Sequence, residues 1–234
     1  DQGMTRLADN RDTPLTAEEI ADEALRQFDD EGPEPSIRSL ARELRVTPSA
    51  IYHHHASHAR IVQAAIDLIW QEAANAVLAR IPDPFSAEPR DVLFAAGIET
   101  RRAFWRHPRA AQHVAADWNP SDAFTMVLGL LANLFERLEL TDARFEEAFH
   151  GYSSFVLGSV MLGAARNTAW ARRPEEQSPP FDPAYDAEST SHSSEDGRQR
   201  INAIMSLSAV DPARDEELFA QGLRRVIASL TVKD

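Results

Sequence analysis

Four arginines and four histidines are concentrated in residues 36–60 of a chain of 234 residues. The same window holds a single acidic residue, Glu43, so it carries a formal charge of +3 while the whole chain carries −13. A local cationic face on an acidic protein can bind a polyanion at one place and repel it elsewhere. The alternative is a solvated arginine face without a partner. The clustered residues are Arg38, Arg42, Arg45, Arg60, His53, His54, His55 and His58.

Two short helices are predicted to carry this cluster. Ser36 is a candidate N-cap for the first helix, and Thr47 followed by Pro48 is a typical N-cap and N1 pair for the second. The tight turn between them spans residues 44–47. Apolar residues that would lock the helices at a steep angle are Leu40, Ala41, Leu44, Val46, Ile51 and Tyr52. This is the construction of a helix-turn-helix, whose second helix can enter the major groove of DNA.

The window resembles the DNA-binding domain of the tetracycline-repressor (TetR) family of transcriptional regulators. The resemblance covers roughly residues 15–70 and includes the capped helix that precedes the motif. Weaker likenesses occur at 104–108 and 219–223, in what would be the ligand-binding half. The residues in register with the family pattern are Arg38, Ala41, Val46, Thr47, Ile51, Tyr52, His54 and Ser57.

The resemblance implies an all-α fold, and helical spacing of apolar residues along the chain agrees with it. It implies a three-helix DNA-binding domain at 15–60 and a larger helical effector-binding and dimerisation domain at 61–234. The implied protein is a ligand-responsive regulator, most often a repressor. As a dimer it would bind a palindromic operator in double-stranded DNA, and a small-molecule effector would release it.

Three residues depart from the family pattern. Arg45 stands where the family usually has glycine, and a left-handed backbone there would cost about 1 kcal/mol. His55 replaces the usual phenylalanine of the recognition helix. His58 replaces a phosphate-binding lysine, which removes a permanent charge and predicts weaker, pH-sensitive DNA binding.

The resemblance and the side-chain chemistry together predict which residues contact DNA. Arg38 is predicted to reach a guanine edge, with an ion pair to Glu34 or Glu43 as the alternative. Tyr52 could instead be a core residue whose hydroxyl reaches solvent. Thr47, Ser49 and Tyr52 are predicted to contact phosphate or the groove, Pro48 and Ala50 to meet thymine methyl groups, and His53, His54 and His58 to contact the DNA backbone.

Aromatic residues are concentrated in the middle of the chain, where Phe124 is one of them. The functional interpretation is an effector pocket, mostly apolar with a few polar groups. The alternative is a plain aromatic-rich core. The predicted effector-binding residues are Phe94, Phe104, Trp105, His113, Trp118, Met126, Phe149, Tyr152 and Phe155.

The pattern predicts helices near 88–106, 109–117, 121–138, 142–170 and 212–231, and a long loop at 171–200. The helices near 142–170 and 212–231 are predicted to pair with their twins in a homodimer. Gly151, Ser154 and Gly158 would allow close approach in the first of these. The final helix would contribute Leu218, Phe219, Leu223, Val226, Ile227 and Leu230. Alternatively, both helices bury these faces within their own subunit.

Several function classes are not expected. The chain has no cysteine, which excludes disulfide scaffolds and cysteine chemistry. The apolar run at 155–165 is too short to cross a bilayer, and no leader is evident, so we expect a cytoplasmic protein without membrane contact. No catalytic or cofactor motif appears, and three adjacent histidines on a helix diverge, so we expect no enzyme, cofactor or metal site. The alternative function is a helical small-molecule-binding or protein-interaction module with weakened or lost DNA binding.

Overall fold

The computed structural model describes residues 14–30, 34–114, 121–140, 142–171 and 212–230. In these ranges the chain forms nine α-helices and no strand, as predicted. They are α1 (Ala17–Asp29), α2 (Ile37–Glu43), α3 (Pro48–His54), α4 (His58–Arg80), α5 (Pro89–Arg106), α6 (Pro108–Ala111), α7 (Asp122–Glu136), α8 (Asp142–Ala171) and α9 (Pro212–Ser229).

Polar side chains fix the start of each of the first four helices. Thr16 and Glu19 form a capping box at the start of α1. The amide of Glu19 donates to the Thr16 hydroxyl at 3.1 Å, and the amide of Thr16 donates to the Glu19 carboxylate at 3.0 Å. Ser36 and Ser39 form a second capping box at the start of α2. Thr47 and Ser57 cap α3 and α4 by accepting from the amides of Ala50 and Arg60. Each cap satisfies an amide that the helix itself leaves unpaired. The predicted caps are therefore confirmed.

One apolar cluster joins the N-terminal helices to the rest of the protein. It contains Ile20 and Phe28 of α1 and Leu40 of α2, and it continues through Ile69 of α4 to Phe104 of α5. Its middle is α4, which packs along both α1 and α5. The helix-turn-helix is therefore built onto the same core as the helices that follow it.

A second cluster lies between α5, α7, α8 and α9. Phe135 is fully buried and meets Phe145, Phe149 and Tyr152 edge-on, with centroids 5.9–6.1 Å apart. Edge-on pairs place the positive rim of one ring against the negative face of another. This packing sets the position of α8 against α5 and α7.

The helix predicted near 109–117 is helical at 109–111 but not at 112–114, and residues 115–117 lie outside the described ranges. Helix α6 ends at Ala111, and a turn follows in which the amides of His113 and Val114 donate to carbonyls three residues earlier, at 2.9 and 3.3 Å. In α6, Ala110 and Ala111 are the buried residues, so this single turn is held mainly by packing of two small side chains. The predicted loop at 171–200 lies outside the described residues except for Ala171, which ends α8.

Candidate DNA interface and effector cavity

The turn between α2 and α3 is a Schellman motif. The amide of Val46 donates to the carbonyl of Ala41 at 3.0 Å, and the amide of Arg45 donates to Arg42 at 3.2 Å. Arg45 occupies the left-handed position of this motif, with φ 56°. The arginine therefore takes a backbone conformation that favours glycine, the residue usual at this position of the TetR pattern.

Helix α3 presents its polar side to solvent. Ile51 is fully buried beneath it, whereas Tyr52 is 51% exposed, so the alternative that places Tyr52 in the core is wrong. Ala50 is half-buried. The other predicted DNA-contacting residues, all exposed, are Arg38, Thr47, Pro48, Ser49, His53, His54 and His58.

Arg38 is an exposed cation on α2, beside the turn. Its two candidate acidic partners have other partners, since Glu43 pairs with Arg42 at 3.0 Å and Glu34 lies 3.6 Å from His113. Within the part of the chain that the structure describes, no ion pair involves Arg38. The guanidinium is therefore available to an external acceptor.

Two of the three departures from the family pattern have structural roles. The ring of His55 donates from Nε2 to the carbonyl of Ala17 at 3.2 Å, which ties the end of α3 to the first turn of α1. The ring of His58 donates from Nε2 to the carbonyl of Pro35 at 2.7 Å. Both imidazoles therefore anchor the helix-turn-helix to neighbouring backbone, a role that the sequence analysis did not predict for His58.

The adjacent histidines of α3 do not converge. The rings of His53 and His54 meet edge-on with centroids 5.6 Å apart. Over the described ranges, no group of three or more histidine, aspartate or glutamate side chains is arranged to hold a metal ion. No described helix is long and apolar enough to cross a membrane.

Two adjoining cavities lie between α4, α5, α7 and α8. The outer cavity, of about 160 Å³, has Leu78, Phe85 and Met126 in its wall, and the inner cavity, of about 60 Å³, has Phe124 and Phe149. Four residues line both and form the boundary between them: Trp70, Ala96, Thr100 and Val127. Together they form one apolar recess that extends from the surface towards the core.

Comparison with solved structures identifies the architecture. Apo ActR from Streptomyces coelicolor, a TetR-family protein, matches with a TM-score of 0.66 at 20% identity, over 93% of this chain and 95% of that one. ActR in complex with actinorhodin matches with a TM-score of 0.68 at 19% identity, over 93% and 96%. BioQ from Mycobacterium smegmatis gives 0.62 at 21% identity, over 92% and 97%. The chain has the TetR fold. No protein-family model and no curated protein sequence matches it.

The recess of this TetR fold brings together only part of the predicted effector set. Phe149 and Tyr152 line the inner cavity and Met126 lines the outer one. Trp118 lies outside the described residues. The predicted residues that line neither cavity are Phe94, Phe104, Trp105, His113 and Phe155. Whether any of the set binds an effector stays a prediction.

The five predicted effector-binding residues that do not line the recess pack against other side chains. Phe104 is fully buried with its ring 4.9 Å from that of Trp70, and Phe155 stacks on Phe219 at 5.3 Å. The Trp105 ring lies 3.7 Å from the guanidinium of Arg101. The Phe94 ring lies 4.6 Å from the guanidinium of Arg224, and the His113 ring packs on Phe28 at 5.2 Å. For these side chains the alternative prediction, a structural role in the core or at a helix contact, describes their positions.

Sequence reasoning missed two prominent wall residues, Trp70 and Phe85. Trp70 falls on the apolar face of α4 beside Ile66, Ile69 and Ala73, so its spacing predicts an ordinary core residue. Phe85 is a large aromatic side chain, 60% exposed, between α4 and α5 in a segment with two prolines. An apolar ring in a polar connecting loop was the signal that could have identified it.

Tyr152 closes the inner end of the recess. It is almost completely buried, and its hydroxyl donates to the carbonyl of Leu93 at 2.7 Å. Burial raises the pKa of Tyr152, because a phenolate would lose its hydration there. Tyr152 therefore presents a neutral phenol whose only proton is already donated.

Helix α6 connects the recess side of the protein to the N-terminal helices. His107 Nδ1 lies 2.9 Å from the carboxylate of Asp29 in α1, and its Nε2 lies 3.3 Å from Glu72 in α4. The guanidinium of Arg109 donates to the carbonyl of Asp30 at the end of α1. This α6 link, made by His107 and Arg109, fixes the end of α1 relative to α4.

The predicted homodimer helices α8 and α9 pack against each other within the subunit. Phe219, Leu223 and Ile227 of α9 are buried, as is Leu230 directly after it, so for these residues the alternative of burial inside the subunit is confirmed. On α8, Gly151 and Gly158 have open space where a Cβ would stand. Met161 and Leu162 are large apolar residues that remain exposed on the same helix.

Proposed function

We propose that this protein is a ligand-responsive, DNA-binding transcriptional regulator that acts as a repressor. The observation that carries the proposal is the exposed polar side of α3, with Arg38 beside it, in the cationic window of an otherwise acidic chain. A rigid, capped helix with small residues at its N-terminus can approach base edges in the major groove. The acidic remainder repels DNA elsewhere and so favours one orientation.

The fold comparison supports a small-molecule effector. ActR, which has this fold, forms complexes with actinorhodin and with (S)-DNPA. In this chain the recess between α4 and α8 is the apolar space in which a small molecule could bind. We therefore infer that occupancy of the recess changes the affinity for DNA.

A path of contacts supports coupling between the two sites. Trp70 lines the recess, its ring packs edge-on against Phe104, and both belong to the cluster that contains the helix-turn-helix. The α6 link adds polar contacts from His107 to Asp29 and Glu72. A ligand that binds better to one arrangement of α4 and α6 shifts the population towards it, which is the requirement for allosteric release.

We also propose a homodimer, built on the outer face of α8 rather than on the apolar residues of α9. Gly151 and Gly158 leave room for a second helix, and Met161 and Leu162 offer apolar surface to cover. Two-fold symmetry would let two copies of α3 bind the halves of a palindromic operator. Sedimentation of a Gly158→Arg variant is expected to show loss of the dimer.

The decisive test combines operator selection with substitution. Duplexes selected from a random pool should bind the full-length chain with an affinity that falls steeply as salt rises, because phosphate contacts release counterions. Arg38→Ala is expected to weaken binding by about 10–100-fold, as loss of a guanine contact does. Arg214→Ala, at an exposed arginine of α9 paired with Glu217, is the matched control and should leave binding unchanged.

The alternative is a small-molecule-binding or protein-interaction module that has lost DNA binding. The observation that favours it is His58, which carries no permanent charge and whose ring is bonded to Pro35. A flat salt dependence, with Arg38→Ala and Arg214→Ala behaving alike, would establish this alternative and overturn the proposed regulator.

A further inference from the structure

The recess is lined almost entirely by hydrocarbon. Among the described residues, none of the side chains in the wall of either cavity carries a charge. The polar side chains in the walls are Thr100, Ser153 and Tyr152, and the Tyr152 hydroxyl already donates to Leu93. The Thr100 and Ser153 hydroxyls, the acceptor side of the Tyr152 oxygen and the indole N–H of Trp70 are the polar side-chain groups of the walls, and all of them are uncharged.

The nearest charges on α5 have partners. Glu99 and Arg101 flank Thr100 in sequence, but both are buried. Glu99 pairs with Arg80 at 2.5 Å and with Arg102 at 3.0 Å, and Arg101 pairs with Asp215 of α9. A charged ligand in the recess would therefore find no counter-ion, and its desolvation would go uncompensated.

The mouth of the outer cavity is apolar as well. Leu78, Phe85 and Met126 are 46%, 60% and 61% exposed, although large apolar side chains usually lie inside. They belong to α4, to the segment before α5 and to α7, so they come together only in the folded chain. Such a patch at a cavity entrance favours the entry of apolar molecules.

We propose that the effector is an uncharged, apolar molecule of one or two rings that enters between Leu78, Phe85 and Met126 and packs on Trp70. The outer cavity holds about 160 Å³ and the inner one about 60 Å³. An apolar cavity of roughly 150 Å³ is enough for benzene, so a bicyclic molecule matches the combined space. This inference rests on the proposed function, because it names the class of molecule that the regulator would sense.

Three probes of matched shape test the charge requirement: 2-naphthol, 2-naphthoate and 2-naphthylmethylammonium. Calorimetric titration of the full chain near neutral pH is expected to show binding of 2-naphthol. Each charged probe should bind at least about tenfold more weakly, since its charge has no partner in the recess. Equal or tighter binding of either charged probe, or no binding of 2-naphthol, would overturn the proposal.

A filling variant tests the location. Ala74 lines the outer cavity, and Ala74→Leu should weaken binding of 2-naphthol at least about tenfold by occupying the space. Ala79→Leu introduces the same side chain at an exposed position of α4 and is the control. Thermal unfolding followed by circular dichroism confirms that both variants fold. If the two variants bind 2-naphthol equally well, the site lies elsewhere.

A third variant distinguishes a ligand entrance from a contact between copies. Phe85→Ser should lower the affinity for 2-naphthol without changing the sedimentation coefficient. A change in the mass of the assembly, with unchanged probe affinity, would mean that a second copy covers the mouth and would overturn the entry route. DNA binding of the ligand-free chain is measured separately. If the chain does not bind DNA, the proposed regulatory function is wrong. If it binds DNA but the naphthalene probes do not bind as expected, only the proposed class of ligand is wrong.

Discussion

The N-terminal and C-terminal helices of this protein are specified by different kinds of interaction. Each of the helices α1–α4 begins at a side-chain cap, supplied by a residue next to the helix in sequence. Helices α5 and α6 begin without one. They are held instead by distant partners, such as Arg102 of α5 bonded to Glu216 of α9. Ser121 also caps α7, through the amide of Phe124 at 3.1 Å. The contrast therefore lies between α1–α4, which all begin at a local cap, and α5 and α6, which depend on contacts between residues far apart in the chain.

The largest expected effect comes from a substitution in the apolar cluster that joins the N-terminal helices to the helices that follow them. Phe104 is fully buried and belongs to the cluster that includes α1 and α2. Phe104→Ala should lower the free energy of unfolding by about 3–5 kcal/mol, measured by urea denaturation. The control Phe85→Ala removes an exposed ring and should change stability by less than about 0.5 kcal/mol. A small effect of Phe104→Ala would show that the two regions do not share one core.

A smaller loss of stability is expected when one of the side-chain caps of the N-terminal helices is removed. Thr47 caps α3 through the amide of Ala50, at 3.2 Å. Thr47→Ala should lower the free energy of unfolding by about 1 kcal/mol, measured by urea denaturation, because the amide of Ala50 loses its acceptor. Thr125→Ala, at an exposed position in the first turn of α7, is the matched control. Equal losses of stability in both variants would argue against a special role for the cap.

A change of similar size should raise stability. Arg45 has φ 56° at the end of α2, and Arg45→Gly should stabilise the fold by up to about 1 kcal/mol in thermal or urea unfolding. Arg42→Gly, inside α2, should destabilise it by about 1 kcal/mol, because glycine loses more backbone entropy in a helix. Glu139, with φ 55° after α7, offers the same test in the C-terminal region. The interpretation requires that Arg45→Gly raise the free energy of unfolding and that Arg42→Gly lower it.

The smallest predicted effect depends on pH. The hydrogen bond and charge of Arg26 hold the pKa of Glu23 below its usual value. Because the pKa of Glu23 is lower in the folded than in the unfolded protein, its carboxylate stabilises the fold at pH values above the unfolded-state pKa. This stabilisation is lost as the pH falls through the folded-state pKa. Glu23→Gln should therefore be destabilising at pH 7, by less than about 1 kcal/mol, and neutral at pH 2–3. Glu18→Gln, in the first turn of α1, serves as the control. A destabilisation that persists at low pH would rule out the ion pair as its cause.

The features of α1–α4 could be predicted from the sequence more completely than those of the recess. Each of the first four helices is indicated in the sequence by the capping residue directly before it, namely Thr16, Ser36, Thr47 or Ser57. The exposed side of α3 follows from the burial of Ile51 on the opposite side. The family pattern, with glycine at the position of Arg45, indicates that a left-handed backbone is possible there, and the structure has one. These features depend on interactions across four or five residues, which spacing alone can show.

The recess could be predicted only in part. Of the predicted effector-binding residues, Phe149, Tyr152 and Met126 line the recess, whereas Phe104 and Phe155 pack elsewhere. A central aromatic residue faces a cavity or a neighbouring ring according to how the helices cross. That crossing depends on contacts such as Phe155 against Gly222, where a Cβ would lie 2.6 Å from the ring. Composition carries no information about it.

The continuity of α4 has a mechanical consequence. Its 23 residues form one rod about 35 Å long, with Leu78 of the recess near one end and the start of the rod directly after α3. A tilt of about 5° about the recess end would displace the far end by about 3 Å. That distance is close to the step of about 3.4 Å between successive base pairs. In the proposed regulator, a ligand would therefore need to move the rod only slightly to put α3 out of register with the bases of a bound operator.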